Sequence, residues 1–258
     1  MEENEVSRRV REALARVEAE RQVRVLYACE SGSRAWGFAS RDSDYDVRFL
    51  YVHRRDWYLS VEDRRDVVEQ PLADDLDVSG WELRKALRLL RKSNPPLLEW
   101  LKSPMVYQRD LAFEADFNML AAKFYSPRRC FAHYLHMAWG NWRGYLLGRD
   151  VVSLKKYLYV FRPVLACRWI ERGLGQVPML FAELVDAVLE ESEVRAALDD
   201  LVARKRSAEE LAVSPPVEPL SRFLEAELPR LDALKEPDEA AGDVEELNGF
   251  FRRYALLA

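Results

Sequence analysis

Val6, Val10, Leu14 and Val17 recur at spacings of four, four and three among charged residues, the period of a buried stripe on an amphipathic helix. The pattern then changes. Val23 to Cys29 is short, apolar and rich in β-branched side chains, which predicts a strand. A stretch with Gly and Ser follows from Glu30 to Ser43, and Tyr45 to Val52 reads as a second strand. Val67-Val68-Glu69 and Leu76-Asp77-Val78 are short strand candidates around a turn-like Pro71 to Asp75. Ser79-Gly80-Trp81-Glu82 has the spacing of a capping box, so a helix is expected from Ser79 with Leu83, Leu87 and Leu90 as its buried stripe. Asn94-Pro95-Pro96 stops that helix and opens another over Leu97 to Lys102.

Beyond about residue 109 strand signals fade. Helical periods run through Asp110–Phe124, Arg128–Leu147, Leu154–Arg172, Met179–Glu190 and Glu193–Leu211. Ser214-Pro215-Pro216 breaks the run, and two further helices are expected near Leu220–Leu234 and Asp243–Leu257. The expectation is an α+β chain. Residues 1–108 form a small mixed β-sheet flanked by helices, residues 109–258 an all-α C-terminal domain, and a cleft lies between them.

Composition narrows the classes. A chain of 258 residues with 49% hydrophobic positions has ample material for a core. Its formal charge of −5 excludes a generally basic nucleic-acid coat and leaves room for a local basic patch. No run of eighteen apolar residues exists and the first residues are acidic, so neither a membrane span nor a signal peptide is expected and the cytoplasm is the expected location. Cys29, Cys130 and Cys167 are odd in number and lack zinc spacing, as suits reduced core thiols.

The chemistry is concentrated in Ser31-Gly32-Ser33-Arg34 and Ser43-Asp44-Tyr45-Asp46-Val47. On a strand, residues two apart face the same way, so Asp44 and Asp46 would present two carboxylates side by side. Like charges that close need an opposing cation, and hard Mg²⁺ with its preference for carboxylate and phosphate oxygens is the natural one. Gly32 lets the backbone approach a phosphate, Ser33 adds a hydroxyl, and Arg34 adds charge. Asp77, a charge between Leu76 and Val78, is the candidate third carboxylate on a neighbouring strand, with Asp75 and Glu69 as weaker ones. Arg84, Arg88 and Arg91 oppose the Leu83, Leu87 and Leu90 stripe, where they face a polynucleotide backbone, a triphosphate or simply solvent. Lys155, Tyr159 and Arg162 share one helical face by spacing, opposite Leu154, Leu158, Phe161 and Leu165. That face either binds the triphosphate and base or forms surface salt bridges. His133 and His136 lack a third metal ligand.

Gly32-Ser33, Asp44-x-Asp46 and a later strand carboxylate together resemble the DNA polymerase β-like nucleotidyltransferase superfamily. The longer text is similar to its RNA-ligase-associated branch. The segments that carry this are Glu30 to Phe38, Asp42 to Phe49 and Gly80 to Leu87, then Asn94-Pro95 with Glu99-Trp100-Leu101, and Lys155-Lys156-Tyr157 with Arg162-Pro163. Glu82 stands where that branch has Asp. The resemblance implies that residues 1–108 are a nucleotidyltransferase domain using two Mg²⁺ ions, or Mn²⁺, at Asp44, Asp46 and Asp77. It also implies transfer of a nucleoside monophosphate from a nucleoside triphosphate, ATP foremost, to a hydroxyl with release of pyrophosphate. Three acceptor readings stay open: an RNA end, a hydroxyl on a protein (as in toxin neutralisation) or small molecule, and no acceptor at all in a nucleotide-binding module that has lost chemistry.

Overall fold

The computed structural model describes residues 2–70, 75–207, 213–236 and 242–256. The stripe of the first helix is realised: α1 (Glu2–Arg21) buries Val10, Leu14 and Val17. The chain then forms β1 (Val23–Glu30), the single turn α2 (Gly32–Ala35), β2 (Tyr45–His53), α3 (Arg55–Tyr58), β3 (Val67–Glu69) and β4 (Leu76–Glu82). It continues through α4 (Leu83–Arg91), α5 (Pro95–Trp100), β5 (Val106–Arg109) and α6 (Leu111–Phe124). The five strands lie in the order β3-β4-β2-β1-β5, with β2 and β4 parallel and the other neighbours antiparallel. The fold class is therefore the expected mixture of a small mixed sheet and helices.

The rest of the chain is mostly helical: α7 (Pro127–Tyr145), β6 (Val152–Ser153), α8 (Lys155–Glu171), α9 (Phe181–Val188), α10 (Ser192–Arg206), β7 (Val213–Ser214), α11 (Glu218–Asp232) and α12 (Val244–Ala255). β6 and β7 pair as a two-stranded ladder inside what the sequence reads as an all-helical region. Leu211, Leu257 and most of the expected Pro71 to Asp75 turn lie outside the described residues. The chain divides into two compact units, each discontinuous in sequence. The sheet unit comprises Met1–Ala35, Asp44–Tyr125 and Ala240–Ala258, and the helical unit Trp36–Ser43 and Ser126–Glu239. A single cut after residue 108 does not describe this arrangement, because α6 and α12 pack with the sheet.

Alternation along β2 sorts its side chains between two cores. Val47, Phe49 and Tyr51 join Val10, Leu14 and Val17 of α1 on one face. Leu50 and Val52 meet Leu83, Leu87, Phe113, Phe117 and Phe250 from α4, α6 and α12 on the other. Asp46 and Arg48 share the parity of Leu50 and Val52, so the second face is apolar along most of β2 and polar at its start.

One boundary differs from expectation. β4 continues through Ser79, Gly80 and Trp81, and α4 begins at Leu83 rather than Ser79. Glu82 is itself the N-cap, accepting hydrogen bonds from the Arg84 and Lys85 amides at 2.7 and 3.3 Å. The reason is non-local: the Phe49 ring lies over Gly80, where a Cβ would come within 2.2 Å of it. The three cysteines are buried and none is in a disulfide among the described residues. Among the described residues no helix is long and apolar enough to cross a membrane.

Candidate active site

The register of the parallel pair places Asp46 directly opposite Asp77. Both carboxylates meet one nitrogen: Arg48 Nη2 donates to Asp46 Oδ1 at 2.9 Å and to Asp77 Oδ2 at 2.7 Å. Arg48 Nη1 donates to the carbonyls of Val47 and Asp77, each at 3.1 Å. Burial pushes the Asp46 carboxyl above its ordinary range; Arg48 opposes that, and the charges of Asp77 and Asp44 add to it.

The small-residue turn abuts this pair. The Ser31 amide donates to the Asp46 carbonyl at 2.8 Å. Gly32 then adopts φ +57°, and a Cβ there would stand 2.0 Å from Asp46 Oδ2. Only glycine allows both the left-handed backbone and the close approach. Ser33, the next residue of α2, is buried. Arg34 donates from Nε to the Asp44 carbonyl at 3.2 Å and lays its guanidinium over the Tyr45 ring at 3.7 Å.

Beneath the pair lies a residue the sequence reading did not single out. Glu30, fully buried at the end of β1, accepts the Asp46 amide at 2.8 Å and the Tyr107 hydroxyl at 2.5 Å. Its carboxyl is pushed up to about 7 by burial, against the hydrogen bonds from Tyr107 and Asp46. Ser103, in the loop between α5 and β5, donates its hydroxyl to the Glu30 carbonyl at 2.6 Å. Glu30 thus fixes the backbone from which the Asp46 side chain projects. A strand-terminal acid directly before Ser31-Gly32-Ser33 is the one local signal for it.

The expected carboxylates do not all gather. Asp44 lies one residue ahead of β2 and is exposed, and its charge adds to the rise of the Asp46 carboxyl. A turn at Arg41-Asp42, with the Ser40 and Ser43 hydroxyls 2.9 Å apart, precedes Asp44. Among the described residues no three His, Cys, Asp or Glu side chains converge closely enough to hold a metal ion. Asp46 and Asp77 alone meet at a common positive group. Their chemistry nevertheless fits a hard divalent cation: two oxygen donors, one of them desolvated, already share a cationic nitrogen.

The remaining candidates fall elsewhere. Asp75 pairs with Arg9 at 2.6 Å, and that hydrogen bond holds its carboxyl below the usual range. Glu69 pairs with Arg65. Arg84 covers the Tyr58 and Phe251 rings at 5.1 and 5.3 Å. With Arg88 it lines a polar hollow beside Trp57, Arg64, Asp66 and Glu82, at the opposite end of β4 from Asp77. Lys155, Tyr159 and Arg162 belong to the helical unit. Lys155 is exposed, whereas Arg162 is only 2% exposed, with its guanidinium 4.9 Å from the Trp36 ring centroid and Nη2 3.9 Å from the Met179 sulfur. The three therefore do not form one solvent-facing polar surface. α8 is buried around most of its circumference.

Comparisons with known proteins bear on this site. Residues 6–253 match the model of the RNA repair pathway DNA polymerase beta family, RlaP. The uncharacterized protein YcgL of Bacillus subtilis (strain 168) is 46% identical over 232 residues, which cover 90% of this chain and 89% of that protein. A crystal structure of a nucleotidyltransferase-like protein from Exiguobacterium sibiricum 255-15 aligns over 97% of this chain and 92% of its own. Its TM-score is 0.32 at 13% identity, too low to add to the assignment.

Proposed function

Because the chain belongs to the RNA repair pathway DNA polymerase beta family, it is a nucleotidyltransferase, and we propose that it joins a nucleoside monophosphate from a nucleoside triphosphate, ATP foremost, to a terminal hydroxyl of RNA. The acceptor oxygen attacks the α-phosphorus, the bond between the α-phosphorus and the bridging oxygen to the β-phosphorus breaks, and pyrophosphate leaves with that oxygen.

The observation that carries this reading is the convergence of the Asp46 and Asp77 carboxylates on one cationic nitrogen beside the Gly32 turn. Asp46 and Asp77 would hold Mg²⁺ or Mn²⁺, with Asp44 joining from the residue just ahead of β2. Such an ion supplies charge neutralisation at the α-phosphate and lowers the pKa of the attacking hydroxyl. Gly32 and Ser33 form the small turn that admits the β and γ phosphates without steric cost. Arg34, anchored over Tyr45, contributes positive charge at the same turn. Glu30 keeps the Asp46 backbone in place. Asp77 accepts the proton of the attacking hydroxyl. The RNA acceptor rests on the family's description.

The test is incubation with each α-labelled nucleoside triphosphate, Mg²⁺ and RNA carrying a free terminal hydroxyl. Label on RNA with the parent protein, absent with Asp46→Asn, is the expected result. Label on protein or a small metabolite instead would replace the acceptor. No transfer by a preparation that binds nucleotide would overturn the reaction.

A further inference from the structure

Strand parity puts Arg48 on the same face as Asp46, one step further along β2. Its guanidinium makes four hydrogen bonds there, two from Nη2 to the carboxylates and two from Nη1 to main-chain carbonyls. The Arg48 side chain is 19% exposed. A divalent ion bound by the same two oxygens needs them at about 2.1 Å, with its own hydration shell around it. The Nη2 nitrogen occupies that place, so the ion and the guanidinium exclude one another.

We propose that Arg48 is a tethered counter-cation that closes the Asp46–Asp77 pair to free divalent ions and yields it when the polyphosphate of an incoming nucleotide offers the guanidinium another anion. The geometry favours exchange over a permanent bridge. Nη1 is anchored by carbonyls that do not ligate the ion, so withdrawal of Nη2 breaks two contacts and leaves the other two as a pivot. A metal–nucleotide complex brings both charges at once, a cation for the carboxylates and phosphate oxygens for the arginine, which bind in fork geometry. A free ion brings only the first and must displace a bonded positive group against charge repulsion. The inference rests on the metal-holding role proposed for Asp46 and Asp77.

The test uses Mn²⁺ alone, without nucleotide, and follows the paramagnetic resonance signal of the unbound ion for the full chain, Arg48→Gln, Arg48→Lys and Asp46→Asn. Arg48→Gln is expected to bind Mn²⁺ at least about tenfold more tightly than the parent. Arg48→Lys, which keeps the charge but loses the forked donors, should fall between the two. A merely structural arginine gives the opposite sign, because without it the carboxylates would splay and bind more weakly. If Asp46→Asn abolishes Mn²⁺ binding while Arg48→Gln binds no tighter than the parent, the closing role of Arg48 is wrong and the metal-holding role stands. If none of the four proteins binds Mn²⁺, both fall. Should Arg48→Gln fail to fold, the comparison passes to Arg48→Lys, and equal or weaker binding by that variant overturns the proposal.

Discussion

Buried carboxylates in the two units are treated in opposite ways. In the sheet unit, Glu30, Asp46 and Glu82 are all pushed above their ordinary range by burial, despite hydrogen bonds that pull the other way. In the helical unit, burial also acts on Glu227, which is 5% exposed, yet hydrogen bonds from Arg230 and Arg168 outweigh it and hold the carboxyl low. Glu191 and Glu171 are held low by Arg168 and Arg230 respectively. Arg168 donates to Glu227 at 2.6 Å and to Glu191 at 2.8 and 3.0 Å, while Arg230 grips both Glu171 oxygens at 2.7 Å. In the helical unit the buried Glu227 carboxylate is matched by two arginines. The sheet unit leaves Glu30 and Asp46 under-compensated beside Gly32, the usual signature of groups kept for a ligand, whereas Glu82 at the far end of β4 caps α4.

The largest expected effect tests the under-compensated side. Asp46→Asn should reduce nucleotidyl transfer on the order of a thousandfold, about 4 kcal/mol of barrier, while leaving thermal stability equal or higher, because a desolvated charge is removed. A variant that loses both in parallel would make Asp46 a structural residue and erase the contrast. Next, Arg168→Met leaves Glu227 with Arg230 alone and removes the arginine that holds Glu191. A loss of about 3 kcal/mol in denaturant unfolding is expected, and a loss under about 1 kcal/mol would mean the network is screened like a surface pair.

A smaller effect belongs to the turn. Gly32→Ala meets the left-handed backbone and the Asp46 carboxylate together, so about 2 kcal/mol of stability should go. Transfer should fall more than stability does, since the clash displaces Asp46 itself. Unchanged transfer at lowered stability would separate the turn from the carboxylate site.

Much of this was legible from periodicity. The stripes Val10-Leu14-Val17 and Leu83-Leu87-Leu90 are local, and they are buried as their spacing implies. Asn94 and Asp110 cap the helices that follow them, again a local effect. What stayed hidden depends on neighbours distant in sequence. β5 is a four-residue edge strand defined by its pairing with β1. The Ser79–Glu82 spacing imitates a capping box because nothing nearby reveals that Phe49 will cover Gly80 and hold that stretch in the sheet. Asp46 and Asp77 could be named from motif and flanking apolar residues, but their register could not. Arg48 shares the parity of Asp46, so its face was readable; that it would take the position between the two carboxylates follows only from the parallel pairing of β2 with β4.

The smallest expected signal is a cancellation. Glu30 has a carboxyl raised to about 7, so between about pH 4.5 and 7 the native state holds a proton that the unfolded state has lost. Stability from this group falls as pH rises through that window, by about 1.4 kcal/mol per pH unit at most. His53, at the other end of β2 and stacked on Trp57 at 3.9 Å, is lowered to about 4 by burial and by Arg64. Between about pH 4 and 6.5 the unfolded state binds the proton that native His53 refuses, so its share rises with pH by a similar slope. The parent protein should therefore show nearly flat stability from about pH 5 to 6.5. Glu30→Gln should expose the rising slope and His53→Phe, which keeps the stacked ring, the falling one, both read from urea midpoints across that interval. If both variants stay as flat as the parent, neither group is uncompensated in the way the contrast between the units requires. If only His53→Phe changes, the acid beneath Asp46 is better matched than its burial indicates, and the under-compensation narrows to Asp46.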